Sequence, residues 1–276
     1  MKIPESTWSR KSGLSVKKMN SRKISERYRL IADYHTHTRY SKGLLVYYHG
    51  KGTIEENVAA AAAKGLQEIG ITDHGPGHIF YGLNLSLLPD MRRDVAEAER
   101  KYPEVKIQLG VEANIIHSGN GLDVAPEDIE KFDFINAGYH HGVPKGDMIR
   151  NPICSAGIYP SGSRQQLENR NTEMALRAIY ENPIRILTHP GDKGPFNIKE
   201  IGRACEARGT RLEINSRHSH LTAEEIRQTM NFDVTYVVSS DAHKPSQVGG
   251  VEAGLERAEE AGVDSDGMSN IMVRLI

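Results

Sequence analysis

The chain has 276 residues, ample for one large α/β domain. Its formal net charge of −1 removes any global attraction to nucleic acid or membranes, so binding of that kind must come from a local patch. Two cysteines, Cys154 and Cys205, without a second thiol near either in sequence, argue against a disulfide-stapled secreted fold. They also leave nitrogen and oxygen as the atoms available to ligate a metal. No apolar stretch reaches the length of a membrane span and the N-terminus lacks the apolar core of a signal peptide, so the expected compartment is the cytoplasm.

Residues 1–28 carry eight basic residues, from Lys2 to Arg27, against Glu5 and Glu26, with little to bury. They read as a basic, mobile arm, which can be a solvated extension or a holder of phosphate backbones; residues 29–276 read as the folded domain. The apolar run Leu30–Ala32 leads into D-Y-H-T-H-T, Asp33 to Thr38. Side chains on a strand repeat with period two, so His35 and His37 share a face and can hold one ion, with Asp33 placed to receive the other ring proton of a ligating histidine. The loop Arg39–Lys51 comes next. Thr53-Ile54-Glu55-Glu56 has the form of a capping box and opens a helix that Gly65 closes. Gln67–Thr72 reads as a buried strand delivering Asp73-His74-Gly75-Pro76. A helix over about Ser86–Lys101 precedes a strand, Val105–Val111, that ends at Glu112. Phe132–Ala137 is a strand leading into Tyr139-His140-His141.

The next helix, about Leu167–Tyr180, stops before Asn182-Pro183 because proline forbids continuation. Strand Ile184–Leu187 ends in Thr188-His189-Pro190-Gly191. A helix, Ile198–Ala207, closes at Gly209; strand Thr210–Ile214 ends in Asn215; a second capping box, Thr222 to Glu225, opens another helix. Val234–Val238 runs into Ser239-Ser240-Asp241-Ala242-His243, and a last helix covers about Gln247–Ala261. Ile271–Ile276 reads equally as an edge strand or a packed tail. Strand and helix alternate with no compositional break and no repeat of fixed period, so seven strands in one series suggest a closed or nearly closed barrel. In such a barrel the loops after the strands build the active site.

At the ends of the successive strands stand His35 and His37, His74, Glu112, His140, His189, Asn215, then Asp241 and His243. Singly each has a bland explanation, such as a capped core histidine or a solvated acid. Jointly the recurrence at strand ends predicts a multinuclear metal site.

The ordered segments D-Y-H-T-H-T, I-T-D-H-G, G-V-E-A-N, A-G-Y-H, L-T-H-P-G, L-E-I-N and S-S-D-A-H resemble the motifs of the PHP (polymerase and histidinol phosphatase) superfamily from about Ala32 to Gly249. They are most similar to its standalone bacterial trinuclear-zinc phosphatases. The resemblance implies a distorted (β/α)7 barrel holding two to three divalent ions, with zinc expected first and manganese or iron as alternatives. It implies that His35, His37, Glu112 and Asp241 hold one ion, that Glu112, His140 and His189 hold a second, and that His74 and His243 belong to a third. Where the family supplies a further ligand shortly after H-x-H, this chain has Ser41-Lys42-Gly43, and His49 is the candidate instead. Glu112 and Asp241 are the expected catalytic carboxylates. His78, His117, His141, His218 and His220 match no ligand position and read as loop or substrate-facing residues.

Two metals sharing a carboxylate hold a bridging water whose pKa falls toward neutrality, giving hydroxide beside a phosphate oxygen. The leading expectation is therefore hydrolysis of a small phosphomonoester without a protein nucleophile. Asp33 and Asp73 are expected to orient histidines, and Arg39, Lys42, Asn215, Arg217 and Lys244 are candidate phosphate contacts. A 3′–5′ exonuclease or nucleotide phosphodiesterase using the basic arm, and a non-enzymatic, metal-stabilised binding module, are the alternative expectations.

Overall fold

The structure, a computed structural model, describes residues 24–42, 49–158 and 160–274. Seven strands form one all-parallel sheet in sequential order: β2 (Ala32–Thr36), β3 (Glu68–Ile71), β4 (Lys106–Asn114), β5 (Phe134–Gly138), β6 (Ile184–Leu187), β7 (Arg211–Asn215) and β8 (Tyr236–Ser239). The first and last approach each other through a parallel bridge between Thr36 and Ala242. There the His37 N–H donates to the Ala242 carbonyl at 2.8 Å and the Ala242 N–H to the His35 carbonyl at 3.2 Å, so the sheet curls into a nearly closed barrel. A separate antiparallel pair joins Tyr28–Leu30 (β1) to Ile271–Val273 (β9), which makes the C-terminal segment an edge strand over those residues.

The strand interiors are apolar runs because helices cover the outside of a parallel barrel. Ile69, Ile71, Leu109, Val111, Ile135, Leu187, Leu212 and Ile214 are buried, and each such side chain contributes on the order of 1.5–3 kcal/mol. The connecting helices begin and end where local chemistry requires. α1 (Ile54–Ala63) starts at the expected capping box: the Thr53 hydroxyl accepts from the Glu56 N–H at 3.1 Å and the Glu56 carboxylate from the Thr53 N–H at 2.8 Å. α2 (Leu88–Lys101) is preceded by a 3-10 turn, Leu85–Leu87, capped by the Asn84 side chain. α3 (Ser161–Glu181) starts six residues before the expected Leu167, at the extended Pro160, and stops at Asn182 before Pro183. α4 (Ile198–Arg208) ends on left-handed Gly209, and α5 (Ala223–Thr229) opens with the second capping box.

The expected helix from Gln247 is divided. A 3-10 turn, Pro245–Gln247, is separated from α6 (Glu252–Ala261) by Gly249, whose φ of 66° breaks the helical path. A short helix, Arg150–Ser155, lies between β5 and α3 where no element was expected. Of the arm expected over residues 1–28, residues 1–23 lie outside the described residues. Ile24–Arg27 forms a helical turn that packs on the body, and Arg27 pairs with Glu259 of α6 at 2.5 Å. No helix among the described residues is long and apolar enough to cross a membrane.

Candidate metal centre

Parallel strands in register deliver the side chains at their ends to one mouth of the barrel. The ladder between β3 and β4 continues as a bridge between His74 and Glu112, which sets the imidazole beside the carboxylate. Glu112 is fully buried and is the hub. Its Oε1 lies 3.2 Å from His35 Nε2, 3.3 Å from His140 Nε2 and 2.9 Å from His189 Nε2, and its Oε2 lies 3.1 Å from His74 Nδ1. Asp241 Oδ1 stands 3.2 Å from His37 Nε2, 3.7 Å from His35 Nε2 and 3.3 Å from His243 Nδ1.

Five sets of ligand atoms lie within 4.8 Å of one another among the described residues: His37, His74 and His243; His35, His37 and Asp241; His35, Glu112 and His189; His74, Glu112 and His140; and His189, His218 and Asp241. Eight of the nine expected residues fall in these sets. His49 falls in none of them, but its ring lies 4.3 Å from that of His243 and 5.2 Å from that of His74, centroid to centroid. It is stacked on Tyr81 at 4.0 Å, and Tyr81 in turn stacks on His78 at 3.5 Å.

The electrostatics leave these groups ready to bind a cation. Burial opposes ionisation of Glu112, yet the surrounding imidazoles, His35 and His140 foremost, hold its carboxyl well below its ordinary value. Asp241 is likewise held well down, against its burial, by His35, His218 and His37. Burial, reinforced by His243, pushes His37 down to about 3, and burial with neighbouring His37 keeps His74 well below the ordinary range. Those rings are therefore neutral, with lone pairs free. His35 is the exception: burial disfavours its charge, but Glu112, Glu213 and Asp241 outweigh it and raise the ring well above its ordinary value.

The residues fit divalent ions on a separate count. His35 Nε2, both ring nitrogens of His37, His74 and His140, His243 Nε2, Glu112 Oε2 and Asp241 Oδ1 are buried without a hydrogen bond of proper geometry. Each such atom costs on the order of 1–3 kcal/mol when left unsatisfied, and divalent ions shared among these side chains would engage the lone-pair nitrogen of each ring and the open carboxylate oxygens. His189 and Asp241 also carry positive φ, 28° and 51°, a conformation that costs about 1–3 kcal/mol in a non-glycine residue and collects at functional sites.

The structure corrects the roles expected of two aspartates. Asp33 does not meet a histidine ring. β2 slips register against β3 between Asp33 and Thr36, and such a bulge disturbs the alternation of side chains along the strand. Asp33 instead accepts from the Ser240 hydroxyl at 2.5 Å and the Gly249 N–H at 2.8 Å. Asp73 takes the N–H and hydroxyl groups of Thr38 and Ser41, fixing the loop after β2. The orienting partner of His35 is Glu213, which the strand-end pattern passes over: its Oε1 lies 2.6 Å from His35 Nδ1 and its Oε2 accepts the His189 N–H at 2.7 Å. Thr188 is a second unanticipated contributor, donating to Glu112 Oε1 at 2.7 Å.

The candidate phosphate contacts divide. Arg217, together with Lys193, lines the mouth of the centre. Arg39 stands 3.8 Å from Asp94, Lys42 lines a neighbouring cavity with His78, Ile79 and Leu83, and Asn215 braces the centre by donating to Glu213 at 2.9 Å. Of the histidines without a ligand position, His218 reaches Asp241 at 3.2 Å, His141 meets the Lys193 carbonyl at 3.1 Å and His220 pairs with Glu225 at 3.0 Å.

A (β/α)7 barrel with buried imidazoles and carboxylates converging at its C-terminal mouth is an architecture suited to holding divalent ions. The chain belongs to the PHP domain family, which its residues 33–217 match. A "Probable phosphatase" of Thermoanaerobacter sp. strain X514 is 31% identical over 252 residues, covering 86% of this chain and 89% of the relative. Another of that description, from Acetivibrio thermocellus, is 28% identical over 89% of this chain and 92% of its own length. Among solved structures, the histidinol phosphate phosphatase of Lactococcus lactis, complexed with zinc, L-histidinol and phosphate, shares the fold. It has a TM-score of 0.59 at 18% identity and covers 86% of this chain and 95% of that one.

Proposed function

We propose that the protein hydrolyses a small phosphomonoester with two to three divalent ions held at the barrel mouth. The observation that carries this reading is the place of Glu112, buried within 3.3 Å of imidazole nitrogens from four places in the barrel: His35 on β2, and His74, His140 and His189 after β3, β5 and β6. In this reading His35, His37, Glu112 and Asp241 hold one ion and Glu112, His140 and His189 a second. His49, His74 and His243 hold a third. Zinc suits such an imidazole-rich set, and manganese or iron is accepted by the same atoms. When bound, the ions neutralise the phosphoryl group and lower the pKa of the attacking water.

The chain's own residues supply the rest. Glu213 fixes the ring of His35, and Thr188 fixes the Glu112 carboxylate. Lys193 and Arg217 bring positive charge to the rim that an incoming anion must pass. The cavity at the mouth measures about 130 Å³, small beside the roughly 300–1,000 Å³ of ordinary ligand pockets. It has room for the phosphoryl end of a monoester.

The test is hydrolysis of p-nitrophenyl phosphate by zinc- or manganese-loaded protein, read beside its metal content. Wild type is expected to turn over with two to three ions bound, and Glu112→Gln to lose more than about 100-fold, beyond what removal of a mere supporting group costs. Undiminished turnover by metal-replete Glu112→Gln would overturn the reading.

A further inference from the structure

Asp241 reaches the centre from a strained loop position, and its carboxylate faces two ways. Oδ1 looks toward His37 and His35, at 3.2 and 3.7 Å. Oδ2 looks toward the end of β7 and the loop after it, with His218 Nε2 at 3.2 Å and Asn215 Nδ2 at a longer 3.4 Å. The opposite nitrogen of His218, Nδ1, is 3.0 Å from Asp192 Oδ2, and Asp192 is itself pinned by Lys193 at 2.7 Å. Lys193 continues the path, since its carbonyl meets His141 Nε2 at 3.1 Å. A line of polar contacts thus crosses the loops after β5, β6, β7 and β8 on the open side of the centre, and the His218 imidazole is gripped at both ends.

A carboxylate on a single methylene rotates easily, and rotation of Asp241 would exchange the oxygen that faces His35 and His37. We infer that His218, braced by Asp192, is a positioning residue that locks the Asp241 carboxylate with Oδ1 toward His35 and His37, and so strengthens retention of the ion they share. This rests on the metal-centre reading above and adds to it a support outside the ligand set. Residues that orient a metal ligand in this way are worth roughly 10–100-fold in metal affinity.

The test uses the full chain loaded with zinc and titrated against a chromogenic chelator, a readout that needs no turnover. His218→Ala should bind the same number of ions as wild type at saturating zinc, with one of them held about 10–100-fold more weakly. Asp192→Asn should weaken the same ion less, and the double variant should be no worse than His218→Ala, because Asp192 acts through the imidazole. His218→Gln, which keeps a donor on the loop, should recover part of the loss. Asp192→Asn leaves every contact of Asp241 in place and carries the test if His218→Ala fails to fold.

Unchanged retention in these variants would overturn the inference. So would loss of a whole ion at saturating zinc, which would make His218 a ligand, or additive losses in the double variant. A wild type that keeps its ions but hydrolyses no phosphomonoester would strike the proposed function and leave the role of His218 standing.

Discussion

At Gly138, the last residue of β5, a Cβ would stand 2.3 Å from Thr188 Oγ1 and 3.0 Å from Glu112 Oε1. Only glycine lets that strand pass so close behind the hub carboxylate. Gly138→Ala is expected to push Thr188 off Glu112, weakening zinc binding by at least about 10-fold while circular dichroism stays that of a folded barrel; undisturbed zinc binding would show that this packing does not set the carboxylate. The same scale shows which residues of the candidate site were legible. His35, His74, His140, His189 and His243 could be read because each comes just after an apolar run. Glu213 could not, because it lies inside a strand between Leu212 and Ile214, while the strand ends at Asn215. Glu213 and Asn215 share a face at period two, so the acid two residues before the strand end points to the same mouth. Asp33 misled because a slip in register is invisible in the sequence. Nothing in the spacing of Ser216-Arg217-His218-Ser219-His220 marks His218 as the ring that reaches Asp241.

Among the elements, those with caps were the ones the sequence specified sharply. Both capping boxes form as read, since Thr53 with Glu56 and Thr222 with Glu225 satisfy backbone donors within four residues. The helix at Arg150–Ser155 was missed: it is six residues long, has Pro152 inside it and offers no apolar period to detect. β1 and β9 are three residues each and exist through a long-range pairing that local propensity cannot announce. What holds this corner is the two-pronged pair of Arg27 with Glu259, at 2.5 Å from both guanidinium nitrogens, with the Arg27 side chain 8% exposed and that of Glu259 38%. The hydrogen bond from Arg27 holds the Glu259 carboxyl below its ordinary value. A depressed carboxyl stabilises the fold above its unfolded pKa and loses that contribution as pH falls through the folded one. Glu259→Gln should therefore cost about 1 kcal/mol at neutral pH, discounted for the exposure of Glu259, or a fall in Tm of about 2–4 °C. Thermal melts of the two proteins should converge only as pH falls below the ordinary glutamate range of about 4.3 and through the depressed pKa of the folded Glu259 carboxyl. A gap that persists in acid would assign the loss to packing.

At the scale of the whole molecule, fold and site meet at one seam. The barrel closes between β2 and β8 through a single bridge, Thr36 to Ala242, with the backbones of His35 and His37 paired to Ala242. The segments that meet there carry His35, His37, Asp241 and His243, so an ion held by those side chains would also staple the closure of the sheet. Metal removal should then act on the fold as well as on turnover. An ion present at 100 times its dissociation constant adds about 2.7 kcal/mol of stability, which for a domain of this size is roughly 5–10 °C in Tm. Chelation of the loaded protein is expected to lower Tm by at least that much and zinc to restore it. Amide exchange should accelerate first at residues 33–38 and 239–243, before the opposite wall formed by β4 and β5. Exchange that rises evenly around the barrel would mean that the ions stabilise the fold without closing the seam, and an unchanged Tm would mean that the buried imidazoles and carboxylates hold their places unaided.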